Sequence, residues 1–219
     1  MGRFVSSVRG RNINNMLTFD RIDHEYRWDG KVVPSVTQVI GEWQQINVYG
    51  VEYYANTFTG AVVKVETFRA AADFGTAVHS MCHMELKGIL SESALHPALI
   101  PPLEQFRTWM DHFKPEILLV EQPMYSQKYG YAGTPDIICM VKNKPLVCDI
   151  KTGEYAMAGV QIAGYEQLYK ENSRKWGRMG RYVLYIPKNG GAYRFHPVGS
   201  PRDWAFFQAR LFQWQYLTR

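Results

Sequence analysis

Between Glu116 and Gly153 the chain reads as strand throughout. EILLVEQPMYS, GTPDIICMV and KPLVCDIKTG follow one another as apolar, β-branched runs, separated by tight turns at Lys128 to Gly133 and Lys142 to Pro145. Strands joined by connections this short pair antiparallel, so the three belong side by side in one sheet. That sheet is the piece around which the remaining elements have to pack.

The flanking sequence supplies helices and two further hairpins. MLTFD and EYRWDGKVVPSV alternate as a strand and a hairpin turning at Asp29-Gly30. Ser35 predicts an N-cap for a short helix through Trp43, and the glycine-punctuated segment from Tyr49 to Ala61 is read as a second helix. A clear helix spans Glu66 to Leu86 with Gly88 as its C-cap. Another spans Leu103 to Phe113, with an apolar stripe of Phe106, Trp109, Met110 and Phe113. A helix over Met157 to Lys170, a hairpin of RYVLYIP and AYRFHPV about Asn189-Gly190-Gly191, and the amphipathic PRDWAFFQARLFQWQYL complete the chain. Neither a repeat nor a linker interrupts it. The expectation is α/β: a basic arm over 1–15, then a single domain over 16–219 with a mixed, mostly antiparallel central sheet flanked by helices.

Composition narrows the function classes. With 46% hydrophobic and 21% charged residues among 219, the chain suits one soluble core. No window offers the ~20 consecutive apolar residues of a membrane span. The basic N-terminus has no apolar stretch behind it, so it is not read as a secretory signal, and it lacks a myristoylation pattern. The three cysteines, Cys82, Cys139 and Cys148, form no CxxC pair, which argues against a zinc ribbon or an iron–sulfur cluster and fits a reducing cytoplasm. A net charge of +5 is compatible with a polyanionic partner. No GxxxxGK[ST] occurs, so no nucleotide cofactor is expected.

The strand around Asp149 carries the first chemical clue. Alternation puts Val147, Asp149 and Lys151 on one face and Leu146, Cys148 and Ile150 on the other. A carboxylate and an ammonium thus point the same way from an apolar strand. Taken alone, this is a same-face salt bridge. The preceding strand brings Asp136 towards the same sheet end, and two close carboxylates repel unless a cation lies between them. Hard divalent ions prefer oxygen ligands. Such an ion can activate water against a phosphodiester, with Lys151 orienting that water or neutralising developing charge.

These residues resemble a known family. Gly133-Thr134-Pro135-Asp136 followed by Asp149-Ile150-Lys151 is similar to the catalytic pattern of the PD-(D/E)XK nucleases. Phe74-Gly75-Thr76-Ala77-Val78-His79 resembles the helix motif of the RecB-type branch, in which the His is a metal ligand. That branch includes phage recombination and mitochondrial genome-maintenance exonucleases. Glu121 matches its upstream acidic residue, Gln161-Ile162-Ala163-Gly164-Tyr165 its QxxxY motif, and Pro34-Ser35-Val36-Thr37 the opening of phage members.

The resemblance implies a restriction-endonuclease-like fold and a DNA exonuclease using Mg²⁺ or Mn²⁺ in recombination, replication or repair. It implies a metal shell of His79, Asp136, Asp149 and the backbone carbonyl of Ile150, with Glu121 outside it. Lys151 then acts on the water or the charge, positioned with the substrate by Gln161 and Tyr165. DNA with free ends is the implied partner, a single-strand annealing protein a further one, and the host cytoplasm the compartment if the chain is phage-encoded. An endonuclease of the same fold and a catalytically silent DNA-binding module are the alternatives.

Plainer readings stand beside several assignments. Gln161 and Tyr165 share a helix face at i,i+4 and serve equally as an amphipathic pair. His79 fits a half-buried structural histidine, and Glu121 a buried carboxylate with a structural partner. His83 is expected on a solvated or DNA-facing flank, since His79-Ser80 lacks the Glu of HExxH. Tyr125, Lys128, Tyr129 and Tyr131 are candidates for stacking on single-stranded ends, or a Tyr-rich hairpin. Trp204, Phe206, Phe207, Phe212 and Trp214 fit core packing.

Overall fold

The computed structural model describes residues 16–20, 23–174 and 177–218; the basic arm over 1–15 lies outside the described residues. The chain opens with three antiparallel strands, β1 (Leu17–Asp20), β2 (Glu25–Trp28) and β3 (Lys31–Val33). Asp29 and Gly30 make the expected turn, with φ of 50° and 77°. Helix α1 (Val36–Ile40) starts at a complete capping box: the Ser35 hydroxyl accepts from the Gln38 backbone N–H, and the Gln38 side chain accepts from the Ser35 N–H. It stops short of the expected Trp43 because Gly41 turns left-handed at φ 58°.

The segment expected to be a second helix is instead a three-stranded sheet: β4 (Trp43–Val48), β5 (Val51–Asn56) and β6 (Val62–Lys64). Tyr49 and Gly50, at φ 51° and 84°, reverse the chain in two residues and pair Val48 with Val51. Its aromatic residues rest on the next element, α2 (Val65–Leu86), where Phe68 stacks on Tyr54 at 4.0 Å between ring centroids. Two short 3₁₀ turns then lead into α3 (Ile100–Phe113).

The strands that follow are β7 (Glu116–Val120), β8 (Met124–Ser126), β9 (Tyr131–Gly133), β10 (Ile137–Val141) and β11 (Lys144–Lys151). Two of the three expected strands are therefore broken. Glu121, at φ 42°, turns the chain out of β7, and β8 pairs with β9 away from the main sheet. Helix α4 (Ala158–Ser173), β12 (Gly180–Tyr185), β13 (Arg194–Pro197) and α5 (Asp203–Leu217) complete the order.

The central sheet is mixed, in the order β13-β12-β11-β10-β7. All its pairs are antiparallel except β11 with β12, which run parallel because α4 crosses between them. Alternation along the strands feeds two cores. Ile138, Val147 and Val183 pack with α1, α4 and α5, while Ile137, Cys139, Cys148, Ile150 and Leu184 pack with α2 and α3. All three cysteines are free and buried, behaving as small apolar side chains. Among the described residues no helix is long and apolar enough to cross a membrane.

Candidate active site

The β10–β11 hairpin sets the geometry. Lys142 and Asn143 take φ of 48° and 61°, the left-handed pair that closes a two-residue turn. The turn fixes Ile137 opposite Cys148, so one step further Asp136 faces Asp149 across the strands. As alternation predicts, Val147 enters the core formed with α4, and Cys148 and Ile150 enter the core formed with α2. Asp149 and Lys151 therefore share the α4 side.

The turn before Asp136 is held from three directions. A Cβ on Gly133 would come within 2.9 Å of side-chain atoms of both Tyr165 and Val36, so only glycine lets this backbone lie against α4 and α1. The Thr134 hydroxyl is hydrogen-bonded to the Tyr26 hydroxyl at 2.7 Å, and the Ala132 N–H donates to Pro34 C=O at 2.9 Å.

Asp136 then spans the seam between the two cores. Its Oδ2 accepts the Ile150 backbone N–H at 2.7 Å, and its Oδ1 meets His79 Nδ1, from α2, at 3.1 Å. Burial acts to raise this carboxyl, yet His79, Lys151 and the Ile150 N–H together hold it below the usual carboxylate range. Burial would lower the His79 imidazole, but the Asp136 charge and hydrogen bond outweigh it and raise the ring above its ordinary value. Asp149 is 2% exposed and pairs through Oδ2 with Lys151 Nζ at 2.6 Å. Burial, foremost, lifts the Asp149 carboxyl to about 6 against the pull of that ammonium, and the Asp136 charge adds to the rise.

Gln161 and Tyr165 reach the same place from α4. Both are buried, and Gln161 Nε2 donates to the Tyr165 hydroxyl at 3.1 Å. The Tyr165 phenol lies well above its ordinary range, through burial first and then through the charges of Asp149 and Asp136. Gln161 Oε1 is buried without a hydrogen-bond partner among the described residues.

Glu121 sits on the other side of Asp136. Its backbone N–H donates to the Asp136 carbonyl at 3.0 Å, and its Oε2 lies 2.5 Å from His83 Nδ1. The expected placing of His83 on a solvated flank is corrected here: its side chain is 12% exposed, and its Nε2 is buried without a partner among the described residues. His79 and His83, one helical turn apart, line one small pocket with Glu121 and Asp136.

The expected stacking residues divide. Tyr131 is fully buried and donates to Gly164 C=O at 2.9 Å, so it belongs to the core. Tyr125 stacks on Trp28, and Lys128 lies over the Tyr129 ring. In α5, Phe207 is buried, whereas Phe206 and Phe212 are exposed and do not pack as the sequence suggested. Sequence reasoning missed Tyr155, whose ring lies 4.6 Å from Lys151 Nζ, and Glu42, which faces its phenol. Neither left a signal in the sequence, because Tyr155 lies in the loop after β11, where a four-residue spacing from Lys151 fixes no shared face.

His79, Asp136 and Asp149 offer one imidazole and two carboxylates, a donor set that suits Mg²⁺ or Mn²⁺. The fit rests on charge: two buried carboxylates share one site, and the ionised form of Asp149 is disfavoured there. Among the described residues no three His, Cys, Asp or Glu side chains already converge as ligands. The Asp136 oxygens are hydrogen-bonded to His79 and the Ile150 N–H, while Asp149 Oδ2 is ion-paired with Lys151 and has no hydrogen bond among the described residues.

Comparison with known proteins finds no matching family model and no similar curated protein. Among solved structures, one described as "Crystal structure of SSO0001" is similar at 17% identity, covering 66% of this chain and 74% of that one, with a TM-score of 0.35. A likeness at that level carries no argument about this chain.

Proposed function

We propose that the chain is a divalent-metal-dependent deoxyribonuclease of the restriction-endonuclease-like fold, acting as an exonuclease on DNA with free ends. The observation that carries this reading is the meeting of Asp136, Asp149, Lys151 and His79 at one end of the central sheet, mostly buried and mutually paired. Lone surface ion pairs do not need such burial, and a structural core gains little from two adjacent acids.

His79, Asp136 and Asp149 would hold Mg²⁺ or Mn²⁺, with the Ile150 carbonyl as a further oxygen. A bound ion there supplies charge neutralisation at a phosphate oxygen and an acidified water. Lys151, beside Asp149, would orient the attacking water or offset negative charge growing on the phosphate. Tyr165 and Gln161 hold the α4 side of the cluster and exclude bulk water from it. Glu121 stands outside the ligand set and acts through its contacts to Asp136 and His83.

The test is cleavage of end-labelled linear DNA, single- and double-stranded, beside closed circles, in Mg²⁺, in Mn²⁺ and in EDTA. Progressive loss from ends with circles spared, and no reaction in EDTA, is the expected result. Cutting of circles would replace the exonuclease by an endonuclease on the same site. Binding without cleavage in either metal would leave only a DNA-binding module.

A further inference from the structure

Lysine carries its ammonium on a flexible four-carbon stem, so a lysine that must stay beside a carboxylate pair needs something to hold it. Lys151 is held on two sides. Nζ pairs with Asp149 Oδ2 at 2.6 Å, and it lies 4.6 Å from the centroid of the Tyr155 ring, within cation–π range. Tyr155 sits in the loop between β11 and α4, where nothing in the strand itself would fix its ring.

A carboxylate from a distant part of the chain stands beside the ring. The Tyr155 phenol faces the Glu42 carboxylate, and burial, foremost, with that charge pushes it well above its ordinary range. Glu42 is 4% exposed, just past the left-handed Gly41. Its Oε1 accepts from Asn56 Nδ2 at 2.9 Å, while its Oε2 is buried without a hydrogen-bond partner among the described residues, with the phenol beside the carboxylate. Asn56 is itself locked at the end of β5, its Oδ1 accepting the Phe58 and Thr59 N–H groups at 3.0 and 2.8 Å. A buried carboxylate is expensive to keep.

We propose that Glu42 and Tyr155 are positioning residues for Lys151: Asn56 holds Glu42, Glu42 holds the phenol, and the ring face holds the ammonium beside Asp149. The role rests on the nuclease reading of the site. It also ties the β4–β6 sheet to the cluster, because Glu42 and Asn56 stand at that sheet's root.

Two measurements test the anchor, one of them independent of catalysis. In the NMR spectrum, ring current should shift the Lys151 ε-CH₂ protons upfield. Tyr155→Leu should abolish the shift, Tyr155→Phe should retain most of it, and Glu42→Gln should reduce it. Ordinary ε-CH₂ shifts in the wild type overturn the anchor whatever the activity. In single-turnover cleavage, Tyr155→Leu should lower the rate about tenfold with little change in DNA affinity, and Tyr155→Phe should recover most of it. In a Lys151→Ala background the same change should add almost nothing. An equal loss with and without Lys151 marks Tyr155 as structural and removes its positioning role. Absence of cleavage by the wild type defeats the nuclease reading instead and leaves the NMR result to decide the anchor.

Discussion

Because Asp136 collects the Ile150 N–H and the His79 ring while Asp149, among the described residues, pairs with Lys151 alone, ionisation affects the two neighbours in opposite senses. The folded-state value of Asp149 is lifted from 3.8 to about 6. Stability from its protonated form is complete below the unfolded value and lost as pH rises towards 6. At neutral pH the ionised group therefore opposes folding, by about 3 kcal/mol at most. Asp149→Asn removes that charge, so the metal-free variant should melt higher than the wild type at pH 7.5 and gain nothing near pH 4, while Mg²⁺-dependent cleavage disappears. Thermal melts across that range, with a cleavage assay, check both halves; a destabilised, active variant contradicts them. His79 runs the other way. Its value is raised by Asp136, so the pair stabilises fully below about pH 6.5 and the contribution fades as pH rises through the higher folded value. His79→Ala should accordingly lose more stability at pH 6 than at pH 9. Metal binding needs the neutral ring, so it should weaken on acidification through the same range in the wild type. Pulse-free titration of Mn²⁺ at several pH values measures that directly.

At the scale of elements, α2 is set against the sheet by a closed loop of contacts. The Asp136 carbonyl takes the Glu121 N–H, Glu121 takes His83, and one turn back along α2 His79 returns to the Asp136 side chain. The left-handed backbone at Glu121 is uncommon for a residue other than glycine, and it turns that carboxylate towards His83 on α2. His83→Ala should therefore cost roughly 2 kcal/mol by urea unfolding, the worth of a charge-assisted bond, and lower cleavage by displacing His79. Unchanged stability and activity would show that α2 is seated without the clamp. The His83–Glu121 link was not legible in the sequence, where His83 looked solvated; a partner 38 residues away leaves no local mark. Asp136, Asp149 and Lys151 were legible because strand alternation and a tight turn fix which side chains share an end. The β4–β5 hairpin was not: Tyr49-Gly50 lacks the Asn-Gly or Asp-Gly signal, and burial along β4 and β5 follows no two-residue period. Gly133 was visible only as part of a motif, while its necessity comes from the backbone lying against Tyr165 and Val36.

For the molecule as a whole, the cluster occupies the seam between two cores that meet across a single sheet. His79 comes from the α2 and α3 side, Gln161 and Tyr165 come from the α4 and α5 side, and the acids come from the sheet between them. A cation held by His79, Asp136 and Asp149 would bridge these layers, and the unfolded chain offers no such arrangement. Binding should then stabilise the fold by mass action, about 2.7 kcal/mol at a hundredfold excess over the dissociation constant. For a chain of this length that corresponds to a rise in melting temperature of roughly 5–10 °C. Mg²⁺ and Mn²⁺ should each produce it, and EDTA should reverse it. Ca²⁺ should raise the melting temperature too but support little cleavage, since its looser coordination positions water poorly. Asp149→Asn should start from a higher metal-free melting temperature and show almost no metal-induced rise, separating loss of a ligand from loss of the fold. His79→Ala should need more metal for a smaller rise, because two carboxylates remain. A full rise in the Asp149→Asn variant, or a response to Zn²⁺ alone, would move the ion away from this seam and leave the paired acids as structure.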